Sequence, residues 1–203
     1  MIVLPRLVLA SGNAGKLREF HRLLAPLGID VVAQSALGIA DADEPHVTFV
    51  ENALAKARHA SAQAKLPALA DDSGICVPAL EGAPGVFSAR FGGEPRSDLR
   101  NNERLVEALR NHADRSAYYY CALVLVRSPY DPRPLVADGT WHGDIVFEPR
   151  GTGGFGYDPH FWLAEFKCTA AELESAQKNR ISHRGQALAA LAAKIRVEQG
   201  KAP

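Results

Sequence analysis

A chain of 203 residues can bury a full-size core, and 47% apolar with 23% charged residues is the balance of an ordinary globular protein. Its 23 basic and 23 acidic residues cancel, which argues against bulk electrostatic binding to nucleic acid or to a membrane surface. Cys76, Cys121 and Cys168 are widely spaced and form no CxxC or disulfide framework, so a reducing, cytoplasmic setting is expected. No apolar run reaches the length of a membrane span, and the short apolar start reads as a first strand, not a signal peptide.

Leu7-Val8-Leu9-Ala10 predicts a buried strand, and Ser11-Gly12-Asn13-Ala14-Gly15 a turn. A helix over 14–27 follows, with Leu17, Phe20, Leu24 and Leu27 on one face and Gly28 to close it. Val31-Val32 predicts a second strand. Residues 36–47 read as an irregular acidic segment. Thr48-Phe49-Val50-Glu51 is a capping box that opens an Ala-rich helix running to about Lys65. Leu69 to Asp71 predicts a strand that ends in an acidic turn, Ala70-Asp71-Asp72-Ser73-Gly74. Ser97 is placed to cap a third helix with Leu99, Val106 and Leu109 inward.

The second half is richer in strands. Residues 117–127 predict a long one, and 135–137 and 141–147 two more, separated at Asp138-Gly139. Residues 151–159 form a glycine-rich loop, Thr169-Ala170-Ala171-Glu172 a second capping box, and a last helix begins near Ser182 with Leu188, Leu191 and Ile195 inward. Early alternation followed by consecutive strands predicts an α/β, or mixed α+β, fold with a mixed sheet.

Four segments carry chemistry, and each admits a plain reading. A glycine turn from strand into helix, Ser11 to Lys16, offers backbone amides and a lysine to an anion. It lacks Walker A spacing and equally describes an ordinary turn with a solvent lysine. The pair Asp71-Asp72 suits a hard cation such as magnesium, which takes carboxylates plus substrate phosphates, or a simple Asx turn. Asp43 and Glu44 form a second acidic cluster, most simply a solvated loop. Phe155, between Gly154 and Gly156, offers a stacking face for a base or a ring tucked into the core. His183 and Arg184 follow Ser182 at a helix start, where positive charge opposes the helix dipole and invites a polar ligand.

Together these segments resemble the inosine triphosphate pyrophosphatase family, which hydrolyses non-standard purine nucleoside triphosphates. The segments that carry the resemblance are Ser11-Gly12-Asn13-Ala14-Gly15-Lys16 with Glu19, and Thr48-Phe49-Val50-Glu51-Asn52-Ala53 with Lys56. Beside them stand Ala70 to Gly74, Gly82-Ala83-Pro84-Gly85-Val86-Phe87-Ser88-Ala89-Arg90-Phe91, Gly153 to Pro159, and Ser182 to Leu188. They span residues 8 to 188 in the family's order.

The resemblance implies one two-lobed domain over 1–203, a long mixed sheet, a cleft between lobes, magnesium dependence and a homodimer. It implies a nucleoside triphosphate substrate and neither nucleic acid nor membrane as partner. By the same resemblance Ser11, Gly12, Asn13, Ala14, Gly15, Lys16 and Lys56 bind phosphates. Asp72 is the catalytic carboxylate and metal ligand, joined at the metal by Asp43 or Glu44. Ser73 contacts substrate. Phe155, Gly156, Tyr157, Asp158, Lys178, His183 and Arg184 read the base. Two departures stand out. Pro78 replaces a usual Asp, and Asp43 is a methylene shorter than the family's common Glu, so Glu44 or a bridging water can take its place.

The implied reaction converts ITP, dITP or XTP to the monophosphate and pyrophosphate. Water attacks the α-phosphorus, Asp72 orients or deprotonates it, and Lys16 and Lys56 hold the leaving charge. Donors near the base would pair with a 6-oxo group and leave adenine's 6-amino group unmatched. The competing expectations are a pyrophosphatase for another modified nucleotide and a nucleotide-binding regulator without turnover.

Overall fold

The structure is a computed structural model, and it describes residues 5–11 and 14–200. Its seven strands are β1 (Arg6–Leu9), β2 (Asp30–Ala33), β3 (Ala68–Cys76), β4 (Ser116–Val126), β5 (Leu135–Ile145), β6 (Phe161–Leu163) and β7 (Cys168–Thr169). Its α-helices are α1 (Ala14–Leu24), α2 (Phe49–Ala64), α3 (Asp98–Leu109), α4 (Ser175–Ile181) and α5 (His183–Glu198). The strands form one sheet in the order β2-β1-β3-β4-β5-β6-β7. β1 pairs parallel with β2 and β3, whereas β6 pairs antiparallel with β5 and β7. The expected mixed sheet of an α/β fold is present.

The chain divides into two compact units. The first comprises Met1–Asp72, Cys121–Asp138 and Ala187–Pro203, and the second Ser73–Tyr120 and Gly139–Gln186. In the first unit, strand alternation sorts the core. Leu7, Leu9, Leu69, Cys121, Leu123 and Leu125 pack with Phe20 and Leu24 of α1 and Leu188, Leu191 and Ile195 of α5. Their neighbours Val8, Ala10, Ala68, Ala70, Val124 and Val126 pack with Ala53, Ala57 and Ala60 of α2. Successive strand side chains point to opposite faces, so each strand serves two layers of helix. The small alanines of α2 allow that helix to lie close.

In the second unit, Ile75, Val77, Tyr119, Trp141, Ile145 and Phe161 pack against Leu105 and Leu109 of α3. The expected inward face of α3 needs correction. Leu99 is 69% exposed, and the buried stripe is Asn101, Asn102, Leu105 and Leu109. Two asparagines sit on it because they hydrogen-bond to neighbouring loops. Gly92 N donates to Asn101 Oδ1 at 2.6 Å, and Asn102 Nδ2 donates to Gly156 O at 2.9 Å.

Most predicted elements are present with shifted ends. Thr48 caps α2, accepting from Glu51 N at 3.3 Å, and Ser97 caps α3, accepting from Arg100 N at 3.4 Å. The first helix ends as α at Leu24 and continues as a 3-10 turn over Ala25–Leu27, which contains Pro26 and closes at Gly28 with φ 77°. Two expected breaks are absent. β5 runs unbroken through Asp138-Gly139, and β3 passes through Asp71-Asp72-Ser73-Gly74 without turning. The short elements β6, β7 and α4 lacked a periodic signal.

Gly143 of β5 shows how tightly this sheet packs. A Cβ there would meet Trp162 O at 2.5 Å and the Phe161 ring at 2.8 Å. Gly143→Ala must therefore push β6 away and should destabilise the protein by about 1–3 kcal/mol. Urea denaturation checks this, and an unchanged midpoint would show that the contact relaxes freely.

Candidate functional site

The two adjacent carboxylates of β3 inherit the alternation of that strand. Asp71 shares the face of Leu69, and Asp72 that of Ala70. Both are buried, Asp71 with only 2% exposed. A buried carboxylate needs a cation and hydrogen bonds to remain ionised. Each finds its own. Lys16 of α1 donates to both oxygens of Asp71, at 3.0 and 2.8 Å. Lys56 of α2 contacts Asp72 Oδ1 at 3.3 Å and Glu44 Oε1 at 2.7 Å. Asn52, one helical turn before Lys56, donates to Asp72 Oδ2 at 3.2 Å. Its amide oxygen accepts from His46 N at 3.0 Å, so the ring of contacts also fixes the loop that brings in Glu44.

These partners leave Asp72 with an unusual balance. Burial and the nearby Glu44 charge raise its pKa above the ordinary 3.8, against the opposing pull of Lys56 and Asn52. Burial works against the Lys56 charge, but Asp72, Glu44 and Asp71 outweigh it and hold its pKa above the usual 10.5. Oxygen donors from Glu44 and Asp72 around one ammonium make a set that a hard cation can share. Asp43 is exposed and lies outside these contacts, so Glu44 is the acidic-loop residue brought to Asp72. Among the described residues, no group of three or more His, Cys, Asp and Glu converges as a ready-made metal cluster.

The predicted phosphate turn is described in part. Gly12 and Asn13 lie outside the described residues, Ser11 follows β1, and Ala14 and Gly15 open α1. The first turn of a helix presents unbonded amides and a positive dipole end, so this position suits an anion. Ser73 follows Asp72 within β3 and is half-buried.

The residues expected to read a base gather in the second unit. Phe155 is 63% exposed, with Lys178 Nζ 4.8 Å and Arg184 Cζ 5.8 Å from its ring centroid. Such distances fall within cation–π range. Phe155 N donates to Asp158 Oδ2 at 2.8 Å, and Lys178 forms an ion pair with the same oxygen. Gly154 must be glycine, because a Cβ there would lie 2.0 Å from that oxygen. Tyr157 is buried and donates to Ser88 O at 2.8 Å, and burial with the Asp98 charge nearby raises its pKa well above the usual 10. Asp158 and Tyr157 thus shape the loop from inside, leaving Phe155 as its exposed ring.

His183 opens α5 after the Ser182 cap, whose Oγ accepts from Gly185 N at 3.2 Å. Its ring stacks on Tyr119, with centroids 4.7 Å apart and planes 8° from parallel, and Trp141 flanks it at 6.5 Å. Sequence reasoning assigned no role to Asn52, Tyr119, Trp141, Asp98 or Asn102. The i,i+4 spacings of Asn52 with Lys56 and of Asp98 with Asn102 were the available signals.

Removing the shared cation gives a sharp test of this electrostatic reading. Lys56→Met would leave Glu44 and Asp72 repelling each other in a half-dry place, costing about 3 kcal/mol near pH 7.5. The sign with pH follows from Asp72. A carboxylate whose folded pKa is raised contributes stability that is present below its unfolded value and lost as pH rises through the folded value. The penalty should therefore shrink as pH falls from neutrality and Asp72, its pKa raised by burial, takes a proton. Denaturation across that range checks it, and a pH-independent loss would contradict it.

The chain is similar to known proteins over most of its length. The dITP/XTP pyrophosphatase of Nitrosomonas europaea is 68% identical over 186 residues, 92% of this chain and 92% of that protein. The dITP/XTP pyrophosphatase of Ralstonia nicotianae is 62% identical over 195 residues, 95% of this chain and 97% of that protein. The structure of a HAM1 protein from Coxiella burnetii superposes with a TM-score of 0.92 at 47% identity, covering 95% of this chain and 98% of that one. The pattern of the Ham1 family matches residues 7–194, and the chain belongs to that family.

Proposed function

We propose that this protein hydrolyses dITP, XTP and ITP to the nucleoside monophosphate and pyrophosphate, removing non-standard purines from the nucleotide pool. The observation that carries the reading is the pairing of Asp71 and Asp72 with lysines from two different helices. That arrangement holds two lysine cations and a poised carboxylate on β3, beside the helix start that suits an anion. The names of the relatives at 62–68% identity support the same substrates.

In this reading the opening of α1, with Ser11, Gly12, Asn13 and Lys16, takes the phosphates. Lys16 and Lys56 neutralise the charge that builds on departing pyrophosphate. Asp72 accepts a proton from the attacking water, and its raised pKa brings it nearer the working pH of a general base. Asn52 keeps its second oxygen oriented. Phe155 stacks on the purine, while Lys178, Arg184 and His183 supply donors to a 6-oxo edge that adenine cannot match.

Magnesium fits the residues present. Glu44 and Asp72 are oxygen donors, and Glu44 already pushes the Asp72 pKa upward, a repulsion that a cation relieves. When bound, magnesium would supply charge neutralisation at the substrate phosphates. A cytoplasmic setting is part of this proposal; among the described residues Cys76, Cys121 and Cys168 form no disulfide, and no helix is long and apolar enough to cross a membrane. A homodimer completes the reading, and light scattering of the purified protein tests it.

Asp72→Asn preserves volume while removing the base. Turnover of dITP should fall at least about 100-fold, the lower range for lost general-base catalysis. The melting temperature should hold or rise, because a repelled, buried charge is gone. Near-normal turnover would remove Asp72 from the mechanism. A product assay covers the wider reading. With magnesium, dITP and XTP should yield monophosphate and pyrophosphate, ATP should react slowly, and chelation should stop the reaction. Release of orthophosphate and diphosphate instead would overturn attack at the α-phosphorus.

A further inference from the structure

Gly156 follows the exposed Phe155, and α3 grips it on both sides. Its N–H donates to Asp98 Oδ2 at 2.7 Å, and its carbonyl accepts from Asn102 Nδ2 at 2.9 Å. Asp98 and Asn102 lie four apart, on one face of the helix. Gly156 has φ 63°, the left-handed region that glycine adopts readily, and α3 fixes that backbone through both its N–H and its carbonyl. Asn102 is only 8% exposed, and its orientation is fixed because the Gly156 carbonyl demands a donor. On the other side of the ring, Asp158 holds the amide of Phe155 itself. The backbone is thus pinned before and after a ring that stays open to solvent.

Resting on the stacking role proposed for Phe155, we propose that Asp98 and Asn102 are positioning residues for base recognition. They hold the Phe155 ring in its stacking pose before substrate arrives. Their hydrogen bonds remove the need to order the loop during binding, so they act on affinity for the base and not on phosphoryl chemistry. Neither touches the reacting atoms.

The test uses steady-state kinetics with dITP and inhibition by inorganic tripolyphosphate, which has no base. Asp98→Ala and Asn102→Ala should each raise KM for dITP by about 3- to 10-fold, the scale of one net hydrogen bond, with kcat nearly unchanged. The tripolyphosphate Ki should not move. Asp98→Asn keeps an oxygen acceptor for Gly156 N and should restore KM. In a Phe155→Ala background the α3 substitutions should add nothing further. If Asn102→Ala fails to fold, Asn102→Asp, the same size without the donor, replaces it. If Phe155→Ala raises KM and the α3 variants do not, the positioning role is overturned while the stacking role stands. If Phe155→Ala leaves KM unchanged, both fall. Fully additive effects in the double variants would also overturn the proposal.

Discussion

Two neighbouring carboxylates inside a strand cannot share a partner. Alternation sends Asp71 and Asp72 to opposite faces of β3, and burial requires a separate cation for each. Much of the first unit follows from that constraint. One face must carry a helix with a lysine in its first turn, and the other a helix with a lysine one turn beyond an asparagine. α1 and α2 meet those demands with Lys16, Lys56 and Asn52. Their apolar stripes then dock on the rows of strand residues that already share those faces.

The segments that the fold separates in sequence were legible where the signal is local. Capping by Thr48 and Ser97, the Leu188-Leu191-Ile195 stripe and the opening strand all rest on patterns within a few residues. The acidic stretch misled because aspartates are rare in strand interiors, and nothing nearby balances them. Lys16 lies 55 residues away from Asp71. Asp138-Gly139 carried the strongest short hairpin signal, yet β5 continues through it alongside β4 and reaches β6 only at Asp144 and Ile145. In α3 the apolar stripe was sought among Leu99 and Val106, whereas Asn101 and Asn102 occupy the buried face. Polar residues facing inward are invisible to a search for apolar period, although they mark where a helix organises loops.

α3 has that organising role in the second unit. Asn101 joins Gly92 N and Ala89 O, and Asn102 joins Gly156 O. Between those loops Tyr157 reaches Ser88 O, and Ser88 Oγ accepts from Ile75 N of β3. A chain of hydrogen bonds therefore runs from the end of the acidic strand to the loop that bears Phe155. Its members tie side chains to backbone groups of several loops, so the network is costly to break in part. Ring stacking on Tyr119 adds a second kind of contact at His183.

The charge balance of the first unit explains why a lysine pair alone is a poor phosphate site. Lys16 and Lys56 face Asp71, Asp72 and Glu44, two ammoniums against three carboxylates. A triphosphate entering such surroundings would meet surplus negative charge. Burial, with the Glu44 charge adding to it, lifts the Asp72 pKa against the pull of Lys56, so the ionised state is held at an energetic disadvantage. A divalent cation held by Glu44 and Asp72 would supply charge neutralisation there. In the proposed mechanism, stability and function pull apart at Asp72. A neutral residue there would suit the fold better, and only an ionisable one can accept a proton from water. Residues that disfavour folding but are kept at a site are where the chemistry is expected to lie.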